Sequence, residues 1–461
     1  MLKNRSLTEG SVMKNILYFS LPYLLSYFLQ TLYGLADLYI VSCFNRTESI
    51  TAVSVGSQVM HMLTVMIVGL AMGATVSIGR AVGAKEMKKA ARSVGNTVTV
   101  FMTGSVVVTA LLLLLVRPIV AVMATPAEAV EGTVRYLTVC FIGIPFITAY
   151  NVISSVFRGL GDSKSPMVFI AVACGLNIGL DILFIGSLKM GPAGAALGTT
   201  LAQTVSVLTA LAVVLKKKRG LSFSKEDFRL QKETVGPIFR VGVPVALQDG
   251  LIQIAFIVIT VIANLRGLND AAAVGIVEKV IGVLFLVPSS MLSAVSALAA
   301  QNLGALLYRR ARATLRYSLY ITAGFGLIAA GVVQGISPNI VAIFEENPEV
   351  IRLGGQYLKS YVWDCFFAGI HFCFSGYFCA MEKSGVSFLH NFLSIVLVRI
   401  PAAYLLSVSF PDTLYPMGWA APAGSLLSVI VCVAAYGIIG HRSNWKKERD
   451  FGEKKRPANA G

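Results

Sequence analysis

Apolar residues run along this chain in twelve long blocks, at roughly residues 14–42, 51–79, 94–116, 133–157, 166–187, 194–215, 237–263, 271–301, 314–336, 350–380, 386–409 and 418–440. An α-helix rising about 1.5 Å per residue needs roughly 20 apolar residues to cross the hydrocarbon core of a bilayer, and every block supplies them. The pattern predicts an all-α polytopic membrane protein with twelve transmembrane helices. No interval between blocks can hold a separate soluble domain. The longest polar one, 216–236, falls near the middle of the chain. It divides the sequence into a first lobe (1–215), a linker (216–236), a second lobe (237–440) and a basic tail (441–461).

The two lobes repeat. Pro22 and Pro244 stand 222 residues apart at the same depth of helices 1 and 7. Gly83-Ala84 and Gly304-Ala305, each followed by a basic segment, are 221 apart, and Pro192-Ala-Gly and Pro416-Met-Gly, each opening the last helix of a half, are 224 apart. Six helices repeated in the same orientation form a parallel repeat about a pseudo-twofold axis along the membrane normal, an arrangement found in transporters with a cleft between two lobes.

Composition agrees with the blocks: 56% of 461 residues are hydrophobic, 13% are charged, and the mean hydropathy is +0.73. The net charge of +16 suggests nucleic acid until its distribution is followed. Alternate connections on one side carry 29 Lys and Arg, the opposite connections only Arg46, Arg117, Lys189 and Arg266. The positive-inside rule then puts both termini and the basic loops in the cytoplasm of a multi-pass cell-membrane protein, with the bilayer and not nucleic acid as its partner. Seven cysteines lie mostly inside apolar runs without metal-ligand spacing, and are expected to be reduced packing residues.

The chemistry begins in helix 1, where Ser26, Gln30, Tyr33 and Asp37 are spaced by four, three and four residues and share one face. An acid in hydrocarbon costs several kcal/mol, so that face is expected to meet other helices or water. Pro22, one turn into the same run, removes a backbone donor and predisposes the helix to bend, making it a candidate hinge. Asp181 in helix 5, Asn177 one turn below it, and Thr199 and Thr200 in helix 6 all lie within roughly 10 Å of the outer boundary, the level of Asp37. Tyr136 at the start of helix 4 reaches the same level. Two carboxylates, an amide and hydroxyls at one depth make a candidate cation or proton site, because oxygen ligands suit hard cations. The second half places Ile259 and Ala402 near the equivalent positions, so this chemistry belongs to one lobe. Its own buried charges, Asp249, Glu278, Lys279, Asp364 and Arg399, are candidates for substrate contact or structural pairing, Asp249 and Asp364 foremost.

With Pro22 and Asp37, GRAVGA (79–84), FRGLGDSKSPM (157–167), LNIGLDILFI (176–185) and QNLGA (301–305), the chain resembles the multidrug and toxic compound extrusion (MATE) transporters over nearly its full length. The resemblance implies a drug and organic-cation exporter working by antiport with inward Na⁺ or H⁺, without a further cofactor and as a monomer. It is similar to prokaryotic members whose N-terminal lobe holds the coupling site. It carries that role, including a possible Na⁺ site, onto Asp37, Asn177, Asp181 and Thr199, with Gln30, Tyr33, Tyr136 and Asn151 lining the substrate cavity. It departs from members with a Glu in helix 7, since Asp249 is not at the corresponding place. Two rivals are weaker. A flippase for lipid-linked precursors needs more cations in its cavity than helices 1, 2 and 7 supply. An intramembrane aspartyl protease would use the Gly159-Leu160-Gly161-Asp162 motif, but its Tyr-Asp partner is absent from the sequence.

Overall fold

The computed structural model describes residues 7–44, 47–216 and 223–442. Expectations that fall on Lys3, Arg5 and Arg46, on 217–222 of the linker, and on the tail beyond Arg442 lie outside the described residues. Every regular element within them is helical, as lipid requires: a spanning backbone must satisfy its own hydrogen bonds. The first lobe comprises α1 (Val12–Phe44), α2 (Thr47–Gly83), α3 (Met87–Val122), α4 (Val130–Ile142 and Ile144–Gly159), α5 (Lys164–Ser187) and α6 (Pro192–Lys216). The second comprises α7 (Lys232–Arg266), α8 (Leu268–Leu284 and Leu286–Gly304), α9 (Tyr308–Ala342), α10 (Pro348–Tyr361 and Trp363–Ala380), α11 (Ser384–Ser409) and α12 (Ala420–Arg442, led by a turn at Tyr415–Gly418).

Ten of these are long and apolar enough to cross a membrane as they stand, and α4 joins them as a pair bent by 47° at Gly143. Pro145, which cannot donate to the carbonyl four residues back, accounts for the bend. The predicted tenth block, 350–380, is likewise divided, at Val362, so each lobe breaks its fourth span. With α10, which is less apolar in its first half and falls short of that measure, the long helices of the two lobes number twelve. The fifth spans share a second irregularity: α5 ends in a π-helical turn at Ile182–Ser187, and α11 contains one at Ser394–Arg399. Helix α7 starts at Lys232, five residues before the predicted block. The described part of the linker is docked on α3, where the Asn96 amide donates to the Asp227 carbonyl at 2.9 Å and Thr99 to that of Phe228 at 2.9 Å.

Side chains bury accordingly. Along α1 the exposed residues Leu21, Leu25, Phe28, Leu32, Leu35 and Tyr39 follow helical spacing on one side, while Ser26 and Asp37 are buried on the other. Toward the face carrying the basic connections the lobes share one core, in which Ile16 and Phe19 of α1 and Met72 and Val76 of α2 meet Val241 of α7 and Met291 to Leu303 of α8. Toward the opposite face the core splits, with Ile40, Leu137 and Ile185 in one lobe and Ile259, Val277 and Tyr361 in the other. Polar ties close the basic face: Arg80 pairs with Glu382, the Gln301 amide donates to the Gly159 carbonyl at 2.8 Å, and Arg310 donates to the Gly10 carbonyl at 2.7 Å. Glycines permit the close approach of the two lobes here. A methyl on Gly83 would collide with the Gln301 carbonyl, and one on Gly304 with the Arg80 carbonyl.

Candidate functional site

Three helices of the first lobe bring polar groups to one point. The Thr199 hydroxyl of α6 donates to Asp37 Oδ2 of α1 at 3.3 Å. The Asn177 amide of α5 donates to Thr199 Oγ1 at 3.4 Å and to Asp181 Oδ2, one turn along its own helix, at 3.4 Å. All four predicted coupling residues thus form one chain of long hydrogen bonds. Asp37, Asn177 and Asp181 are 5%, 2% and 0% exposed, and among the described residues no basic side chain pairs with either acid. Space for the Asp181 carboxylate comes from Gly198, where a methyl would run into Asp181 Oδ1.

The donor set is all oxygen apart from the Asn177 amide nitrogen. Asp37 Oδ1, Asn177 Oδ1 and Asp181 Oδ1 are buried without a hydrogen-bond partner. Buried oxygens left in that condition cost free energy unless a proton or cation meets them. The set fits Na⁺ or H⁺; no group of three His, Cys, Asp or Glu side chains that could hold a metal ion is found among the described residues.

The predicted substrate-cavity residues divide. Gln30 and Asn151 line one cavity together with Tyr23, Tyr150, Ser154 and Arg158, while Tyr33 and Tyr136 do not line it. Tyr33 packs beside Tyr150 and Phe169, and the Tyr136 hydroxyl lies 3.1 Å from Ser57 Oγ, its ring against Gly56. The cavity measures about 20 Å³, room for a water and far below a drug-sized molecule, so in this conformation it is not a substrate chamber. Pro22 is buried at its edge, and Ser26 donates back to the Pro22 carbonyl at 2.7 Å, a bond that favours bending. Sequence reasoning missed two members of this region. Arg158, read as part of a turn, folds its stem inward with its guanidinium 5.6 Å from the Tyr23 ring centre. Gln203, one turn past Thr199, is buried with an unpartnered Oε1; its spacing of four from Thr199 is the signal that points to it.

The second lobe's charges take other partners. Arg399 donates to the Tyr361 hydroxyl at 2.7 Å, lies 3.7 Å from Asp364 Oδ2, and stacks 5.2 Å from the Phe256 ring centre. Thr260 donates to Glu278 Oε2 at 3.2 Å, while Lys279 points to the exposed side. Asp249 stands apart from all of these, half-buried at the boundary between lobes, where a methyl on Gly69 of α2 would lie 2.8 Å from its Oδ2.

Comparison with known proteins agrees with this division. A family model described as MatE matches the chain twice, at residues 22–183 and 244–405, each match opening on a proline. A Bacillus subtilis protein named probable multidrug resistance protein YoeA is 25% identical over 96% of this chain and 96% of its own length. Another from the same organism, YpnP, also named a probable multidrug resistance protein, is 29% identical over 88% and 91%. A solved structure described as the outward-facing conformation of a MATE family multidrug resistance transporter superposes with a TM-score of 0.87 at 23% identity, over 99% of this chain and all of that one.

Proposed function

Because the chain belongs to the MatE family, whose model covers most of both lobes, we propose that it exports drugs and other amphipathic or cationic small molecules across the cell membrane, by antiport with inward Na⁺ or H⁺. The observation that carries the coupling part of this reading is the link from Asp37 through Thr199 and Asn177 to Asp181, which ties three helices by groups that respond to a cation. An antiporter works when ion and substrate each bias one conformational equilibrium, and a ligand shifts that equilibrium only by its differential affinity for the two states. With both acids charged, α1 is repelled from α5 and a cationic substrate is attracted. Neutralised by Na⁺ or H⁺, the acids let α1 pack closely against α5 and α6, leaving beside α1, α2 and α4 a cavity of only about 20 Å³, and substrate is expelled. Pro22 supplies the bend by which α1 opens that space again.

In this reading the basic face is cytoplasmic, and its closure makes the described conformation outward-facing. The protein acts as a monomer, and no organic cofactor enters the cycle. The MatE family match and the relatives' names, which speak of multidrug resistance, support an exporter over an enzyme. Transport by purified protein in liposomes, with a Na⁺ gradient and a pH gradient imposed separately, tests the proposal: one should drive uptake of a cationic dye, and failure of both would overturn it. Reporter fusions after Lys218 and after Lys189 check sidedness, with the first expected inside.

A further inference from the structure

At the basic face of the second lobe, away from the acids, a cavity of about 510 Å³ lies between the ends of α9, α10 and α12. Arg309, Arg312 and Arg316 of α9 line it together with Leu319, Phe374 of α10 and Tyr436 of α12. The arginines are spaced by three and four residues and therefore share one helix face. Among the described residues that line it, none is acidic. Glu382, at the end of α10, is engaged by Arg80.

Depth decides what such a cavity can meet. Helix α9 has 35 residues. Its length of roughly 52 Å exceeds the ~30 Å hydrocarbon core by about 11 Å at each end. Arg309 to Arg316, in the first nine residues, lie in the headgroup layer, and Leu319 and Phe374 continue the wall toward the acyl chains. A soluble anion has no use for that apolar wall, whereas a lipid does. We propose that this cavity binds the headgroup of an anionic phospholipid, with the phosphodiester held by the three guanidinium groups and the upper acyl chain laid on Leu319 and Phe374. Guanidinium forks match phosphate oxygens in pairs, and the α9 N-terminus adds a favourable dipole. Basic pockets between transmembrane helices are suited to such headgroups.

The test uses the full-length protein in neutral detergent, with native mass spectrometry against phosphatidylglycerol and phosphatidylcholine of identical chains. The wild type should retain phosphatidylglycerol about ten-fold better, and Arg309→Ala, Arg312→Ala and Arg316→Ala should each weaken that retention about five-fold. Arg316→Glu, at an exposed position, should abolish the preference while leaving transport of a cationic dye intact. Equal retention of both lipids by the wild type, a comparison independent of any variant, would overturn the site, as would an unchanged preference in Arg316→Glu. Inorganic phosphate in the millimolar range should leave the lipid in place; displacement would make this a free-anion site and sink the lipid assignment.

Discussion

In the first lobe Asp181 stands just before the π-helical turn of α5 with Gly198 of α6 laid against its carboxylate; in the second, Arg399 closes the π-helical turn of α11, where a methyl on Gly424 of α12 would lie 3.2 Å from its Cβ. The two devices are alike in kind but out of register by about ten residues in the repeat, and the charges are opposite. Asp181 is linked to a second acid, Asp37, and to no base among the described residues, while Arg399 has Asp364, the Tyr361 hydroxyl and two aromatic rings. One lobe holds an acid pair with no basic side chain paired to it among the described residues, and the other carries its own cation on a side chain. The difference teaches that each lobe buries a charge beside a π-helical turn of its fifth helix, at positions the 222-residue repeat does not superpose and with opposite signs.

The largest effect that would sharpen this contrast is on coupling. Asp37→Asn and Asp181→Asn should each reduce gradient-driven uptake into inverted vesicles to the level of empty ones without loss of expression. The double variant should be little worse, because the two act as a unit. Asp249→Asn and Asp364→Asn should change substrate preference more than coupling; collapse in either, with near-normal uptake by both first-lobe variants, would transfer the coupling site to the second lobe. Next comes stability. Arg399→Leu leaves Asp364 buried without its partner and should cost about 3–5 kcal/mol in denaturant unfolding, most of it recovered by adding Asp364→Leu. Gly198→Ala, which drives a methyl into Asp181, should cut coupled uptake several-fold, whereas Gly424→Ala should lower the melting temperature and leave coupling alone. Pro22→Ala should fold and insert normally while slowing export a few-fold in a dye-efflux assay.

The smallest effect lies outside both lobes. The Ser224 backbone N–H, its hydroxyl and the Arg92 guanidinium hold the Asp227 carboxyl below the ordinary carboxylate range. A depressed value means that the carboxylate's contribution to the linker's docking on α3 is fully present above about pH 4 and is lost as pH falls through the lowered value. A fluorophore at Glu226 should loosen only in acid, and at every pH in Asp227→Ala.

The acid site was legible because its residues break a rule of hydrocarbon burial, and depth along a helix can be counted. Asp37, Asn177, Asp181 and Thr199 meet as that counting requires. Counting depth says nothing of lateral packing. The Arg399–Asp364 pair joins spans whose neighbourhood emerges only when α10 and α11 assemble, and Arg158 looked like a turn residue because its stem's inward path depends on Tyr23 across the lobe. The breaks at Gly143 and Val362 escaped for another reason: both sit inside continuous apolar blocks, where hydropathy does not change when a helix bends.

Gly83 meets the carbonyl of Gln301, Gly304 meets that of Arg80, and each pair of equivalents is 221 residues apart. That reciprocity is the signature of an isologous interface, the contact two identical subunits make across a twofold axis. The chain therefore holds within one polypeptide the geometry of a homodimer, and each half bears both complementary surfaces of this contact. The covalent linker then serves mainly as local concentration for two partners already shaped to find each other.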